Sequence, residues 1–147
     1  MTDDEIAGTL TAAFGPEQIG GWQVLFTQPT ARMSMNDRSH WRKRHRRTKV
    51  WRHAAYYAAV DQLGASPAAR VRPPCFVRVI FPVPDPNRRR DPHNQAPTVK
   101  AIVDGLVDAG VWRDDTPDQV AILDPRFAAP ADGPVVVQLI PRANGAA

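Results

Sequence analysis

From Ser39 to Leu63 the chain runs 25 residues without a proline or a glycine, although its 147 residues include 15 prolines and 9 glycines. So long a stretch free of helix breakers predicts an α-helix. Ser39 is a good opening residue, and Trp51, Ala54, Ala55 and Ala58 fall on one helical face, so the helix is predicted firmly from about Thr48. Its first half is a different kind of surface. Between Arg38 and Arg52, eight of fifteen residues are Lys or Arg (Arg38, Arg42, Lys43, Arg44, Arg46, Arg47, Lys49 and Arg52), with Trp41 and Trp51 interleaved. A run so basic is no core element. It is either a solvated helix face or a nucleic-acid contact, and one-signed charge at this density repels itself unless a polyanion neutralises it, which favours nucleic acid. Trp51 is expected in the core, and Trp41 is a candidate to stack on an unpaired base or wedge a strand junction.

The remaining elements read more briefly. Ile6, Leu10, Ala13 and Phe14 recur at helical spacing over residues 3–14, which predicts a short helix in an N-terminal extension, residues 1–20. Trp22 to Phe26 is an expected strand, residues 28–37 a loop, Pro67 to Pro74 a linker, and Cys75 to Phe81 a second strand. Pro97 suits a first helical turn, and Val99, Ile102, Val103 and Leu106 continue a helix that Gly110 ends. Val120 to Leu123 and Val135 to Ile140 are short strands separated by a Pro/Ala/Gly-rich loop, and residues 143–147 are expected to fray. The order β-α-β-α-β-β predicts a single α+β domain over residues 21–142, a mixed β-sheet with two main helices packed on it.

Charge is segregated along this order. Residues 1–20 hold four acids and no Lys or Arg, residues 21–100 hold 16 Lys or Arg against four acids, and residues 101–147 hold seven acids against three arginines. A polyanion fits the middle segment, and the acidic end has the composition to hold cations. Hydrophobic residues at 43% and charged residues at 23% are ordinary globular values, which argues against wholesale disorder. Cys75 is the single cysteine, which excludes an internal disulfide and a Cys-rich zinc site, and it is expected in the core. No apolar run reaches the roughly 18 residues of a membrane span, and the acidic start Met1-Thr2-Asp3-Asp4-Glu5 is unlike a signal peptide, so a cytoplasmic protein with no membrane association is expected.

Two short segments carry candidate chemistry. Asp85-Pro86-Asn87-Arg88-Arg89-Arg90-Asp91-Pro92-His93-Asn94 is either an ion-paired surface turn or a phosphate clamp beside a metal ligand, with Asp91 on a hard cation and the arginines on the flanking backbone. Asp114-Asp115 follows the second helix, and adjacent carboxylates repel unless a cation or water screens them. A short helix packed on a sheet brings both segments together, with Lys100 in its first turns facing a phosphate or transition-state charge.

Arg89-Arg90-Asp91-Pro92-His93-Asn94, then Lys100 to Leu106, then Ala109 to Asp115 resembles, in order and spacing, the RusA family of Holliday-junction resolvases. The resemblance covers about residues 22–140, is strongest over 88–115, and extends to the stretch Asn36, Arg38, His40 and Trp41, which is similar to the family's DNA-contacting region. It implies a mixed α/β fold, a homodimer and Mg2+-dependent nicking of two symmetry-related strands of a four-way DNA junction. It also implies catalytic roles for Asp91, Lys100 and Asp115, and DNA contacts from Arg38, His40 and Trp41. On charge and position, Arg42, Lys43, Arg44, Arg46, Arg47 and Lys49 of the basic segment and Arg88, Arg89, Arg90 and Asn94 of the arginine-rich loop are further expected DNA contacts. His93 stands where the family carries its second metal-binding Asp, and extra residues separate Asn94 from Lys100. Imidazole suits softer metals, so His93 weakens Mg2+ and relatively favours Mn2+. Three roles are open to it: metal ligand, general base with Asp114 joining Asp91 and Asp115 at the metal, or a substitution that cripples the site. The competing functions are a junction- or duplex-DNA-binding protein that has lost cleavage through His93, a plain duplex nuclease, and a basic RNA-binding module that leaves Asp91, Asp114 and Asp115 idle.

Overall fold

The computed structural model describes residues 21–142. The helix expected at residues 3–14 and the tail at 143–147 lie outside them. In chain order the elements are β1 (Trp22–Phe26), α1 (Trp41–Leu63), α2 (Pro67–Val71), β2 (Cys75–Pro82), a 3-10 turn (Pro92–Gln95), α3 (Ala96–Asp108), β3 (Val120–Ile122), β4 (Arg126–Ala128) and β5 (Val135–Pro141). The expected α+β architecture is present: a mixed five-stranded sheet with α1 and α3 packed against it.

The sheet is ordered β1-β5-β2-β3, with β5 antiparallel to both of its neighbours. β3 and β4 lie end to end along the other side of β2, both parallel to it, β3 beside Cys75–Val77 and β4 beside Ile80–Pro82. Strand side chains alternate between faces, so Cys75, Val77, Val79 and Phe81 of β2 point one way and meet Val135, Val137 and Leu139 of β5 in a single core. Trp51, Ala55, Ala59 and Leu63 of α1 and Ala101, Ile102 and Leu106 of α3 close that core. Trp51 and Cys75 are fully buried, as expected, and the indole of Trp51 donates to the Ala31 carbonyl at 3.1 Å.

Three elements differ from the sequence expectation. α1 begins at Trp41, within the stretch from Ser39 expected to be helical, but its opening residue is His40 rather than Ser39, and the His40 Nδ1 accepts the Arg42 amide at 3.2 Å. Ser39 instead gives its hydroxyl and amide to Asp37, at 2.5 and 2.9 Å. The basic turns have no core face to show in the sequence, but Asp37 anchors them by pairing with Arg47 at 3.4 Å and accepting Arg44 on its carbonyl at 3.2 Å. The linker 67–74 holds the one-turn helix α2, and the loop before β5 holds β4. Both are too short to generate a period.

α3 ends as Gly110 suggested. Gly110 has φ +87°, its amide and that of Val111 return to the carbonyls of Val107 and Leu106 at 2.9 and 3.1 Å, and Val111 is buried: a Schellman close. The two main helices approach closely at Gly105, where a Cβ would lie 2.3 Å from the Arg52 carbonyl oxygen and 3.0 Å from the Ala55 Cβ.

Candidate functional site

The site grows from the two ends of α3. Ahead of the helix, Asp91 uses one carboxylate oxygen to cap the 3-10 turn, accepting the His93 amide at 3.0 Å, while its carbonyl takes the Asn94 amide at 3.2 Å. Asp91 and His93 are both exposed, so neither is spent on the core. Beyond the helix, Trp112 is buried and its indole donates to the Cys75 thiol at 3.0 Å, which pins the chain to the start of β2 just before Asp114 and Asp115. The Asp115 amide then donates to the Asp114 carboxylate at 2.8 Å.

Lys100 connects the two ends. One turn into α3, its ammonium is hydrogen-bonded to the Asp115 carboxylate and pairs with Asp104 at 3.0 Å. The hydrogen bond that Lys100 donates to Asp115, and then that to Asp104, raise the Lys100 pKa, while the bond accepted from Lys100 lowers that of Asp115. Lys100 is therefore held as a cation and Asp115 as an anion, and Lys100 suits a charge-stabilising role rather than that of a base. Beside this pair lies a cleft of about 300 Å3, lined among others by His93, Val99, Lys100, Leu123 and Asp124. Asp124, just past β3, was not picked out in the sequence: an Asp-Pro pair reads as an ordinary turn, and only the parallel pairing of β3 with β2 brings it to this cleft.

The loop before α1 is fastened to the same place. The Met33 amide donates to the Thr98 hydroxyl at 2.8 Å, that hydroxyl donates to the Met33 carbonyl at 2.9 Å, and the Met35 amide donates to the Asn94 carbonyl at 3.0 Å. These bonds fix the start of the basic helix relative to Asp91 and His93. From Trp41 to Arg46 that helix is exposed throughout, Trp41 at 59%, with Arg42 lying 5.3 Å from its ring centroid. Trp41, Arg42, His45 and Arg46 line a shallow groove, and Lys43, Arg46 and Arg47 line another with Thr30 and Val50. Arg38, His40, Lys49, Arg88 and Arg89 are also exposed, Asn94 is half-buried, and Arg44 reaches back to Asp37. Arg90 is more ordered, giving one Nη to the carbonyls of Asp85 and Arg88 at 2.7 and 3.1 Å.

Of the expected catalytic set, Lys100 and Asp115 are in direct contact and His93 shares a cleft with Lys100. Asp91, His93, Asp114 and Asp115 do not form a closed cage: among the described residues no group of three or more His, Cys, Asp or Glu is placed to hold a metal ion. Mg2+ does not need one, since it keeps several waters and is commonly held by one or two carboxylates together with substrate phosphates. The carboxylates of Asp91 and Asp114, which are exposed, and of Asp115, which is half-buried beside Lys100, fit that chemistry. No helix among the described residues is long and apolar enough to cross a membrane. Comparison of the chain with family models, with curated proteins and with solved structures gives no match.

Proposed function

We propose that the protein is a metal-dependent endodeoxyribonuclease that acts as a homodimer on four-way DNA junctions. The observation that carries this reading is the Lys100–Asp115 ion pair, which joins the far end of the motif to the helix that Asp91 and His93 introduce. The junction preference and the dimer rest on the resemblance to the RusA resolvases.

In this reading Asp91 and Asp115, with Asp114 or His93, hold the divalent ion, which when bound activates water and stabilises the leaving 3′ oxygen. Lys100, already held as a cation, offsets charge on the phosphoryl oxygens. Where Asp114 is the third ligand, His93, exposed at the cleft, is free to receive the proton of the attacking water. The exposed basic turns of α1 and the arginines 88–90 bind the DNA backbone irrespective of sequence, with affinity that falls steeply as salt rises.

A second reading is a junction-binding protein without cleavage, supported by His93 in place of a carboxylate. Strand cleavage of a synthetic four-way junction beside a matched linear duplex, in Mg2+ and separately in Mn2+, decides between them. Paired nicks near the branch point are expected, with Mn2+ the better ion if His93 is a ligand. Tight binding without nicking in either metal selects the second reading.

A further inference from the structure

Arg32 lies in the loop between β1 and α1, far in sequence from the arginine-rich turn, and nothing in its local sequence singles it out. In the fold its guanidinium lies 5.3 Å from the ring centroid of Phe81 and 5.7 Å from that of Phe127. Phe81 and Phe127 are register partners on β2 and β4. Arg90 comes to the same Phe127 ring from a different segment, with its guanidinium carbon 5.2 Å from the centroid. Two arginines thus converge on one aromatic platform, one of them the immediate neighbour of Asp91.

Neither has an acidic partner among the described residues. Arg90 donates only to backbone carbonyls, and one Arg32 Nη is buried without an acceptor. Burial, and next the positive charge of Arg90, depress the Arg32 pKa. Holding two like charges together, both half-buried, costs stability unless an anion joins them. The rings supply attraction to each cation separately and do nothing to relieve the repulsion between them. A backbone phosphodiester relieves it, because its negative charge is spread over two free oxygens, each with lone pairs to accept from one of the two guanidinium groups.

We propose that Arg32 and Arg90, stacked on Phe127, form a seat for one backbone phosphate of DNA, next to the Asp91 end of the site. The seat rests on the DNA-binding part of the proposed function and not on cleavage. Arg32 is thereby a DNA-contacting residue, and the Phe81–Phe127 pair is the floor that aims it.

The test is equilibrium binding of a four-way junction and of a short duplex in EDTA, over a range of salt, for wild type, Arg32→Gln, Arg90→Gln and the double variant. Each single variant is expected to reduce the slope of log K against log salt by about one phosphate contact, which is about 3.5-fold less affinity lost between 50 and 200 mM salt. The double variant is expected to lose no more than either single one, since both residues share one phosphate. Arg32→Lys, which keeps the charge but loses the stacked fork, is expected to keep the slope and bind more weakly. Circular dichroism confirms that each variant is folded. An unchanged slope in folded Arg32→Gln, or a double variant that loses two contacts, overturns the seat. Junction cleavage by wild type with an unchanged Arg32→Gln slope sinks the seat alone. Binding without cleavage, with the expected slopes, sinks the nuclease alone.

Discussion

Replacing Gly105 with alanine inserts one methyl group at the closest approach of α1 and α3. In an isolated helix interior the change is favourable by about 1 kcal/mol. Here the new Cβ would stand 2.3 Å from the Arg52 carbonyl oxygen, where about 3.3 Å is an ordinary carbon–oxygen contact. The oxygen belongs to the backbone of α1, so it cannot swing aside. The helices must part by roughly 1 Å, which forfeits a quarter to a half of the dispersion energy across the separated surfaces. Overpacking of this kind costs about 1–3 kcal/mol, and the rigid obstacle places Gly105 at the upper end. Less the gain in propensity, Gly105→Ala is expected to destabilise the fold by about 2 kcal/mol and to lower the midpoint of thermal unfolding by about 6 °C. Urea unfolding followed by tryptophan fluorescence reads the shift, with the slope against urea unchanged. A variant as stable as wild type, or more so, would mean that the helices are not in contact at this point.

Thr98→Val keeps the shape of the side chain but strips both Met33 backbone groups of their buried partner, so a loss of about 2–4 kcal/mol is expected in urea unfolding, largely restored in Thr98→Ser. Asp115→Asn removes a half-buried surface carboxylate and is expected to lower junction cleavage about a hundredfold or more while the unfolding midpoint moves little; full activity would refute the role given to Asp115. The carboxyls of Asp37 and Asp108 are held below their ordinary range, Asp37 chiefly by the Ser39 hydroxyl and Asp108 chiefly by Arg52, whose Nε donates at 2.6 Å. A depressed folded pKa adds stability that is present above the unfolded value, about 3.9, and is lost as pH falls through the folded value. Stability is therefore expected to be level near pH 6 and to fall below about pH 4, and Arg52→Gln is expected to shrink that fall in acid-unfolding curves.

The legible parts of the fold were those whose own residues carry the pattern. α3 shows its core face at Val99, Ile102, Val103 and Leu106 and its stop at Gly110, and the hydrophobic runs of β2 and β5 stand out against proline-rich surroundings. The first turns of α1 showed only through their lack of proline and glycine, because a helix that faces solvent has no apolar stripe, and its histidine cap did not stand out. β4 did not, because three residues become a strand only when β2 offers its edge. The same division holds at the site. Lys100 and Asp115 could be placed together because a short helix separates them, whereas Asp124 and Arg32 reach their neighbours through pairing and stacking between distant segments. How Asp91, His93, Asp114 and Asp115 sit relative to one another depends on angles between loops that spacing does not contain, and among the described residues no group of three or more such side chains is placed to hold a metal ion.

The place of β5 has a consequence for how the chain is made. It lies between β1 and β2, and among the described residues β1 has no other strand beside it. Synthesis proceeds from the N-terminus, so β1 and the inner side of β2 remain unpaired until residues 135–141 have left the ribosome. Through that interval the nascent chain exposes two β-edges, one of them the strongly apolar β2, beside a run of positive charge. A chain stopped before Val135 keeps the edges and never acquires the strand that joins them, so such fragments are expected to aggregate or to occupy chaperones rather than persist as small folded domains.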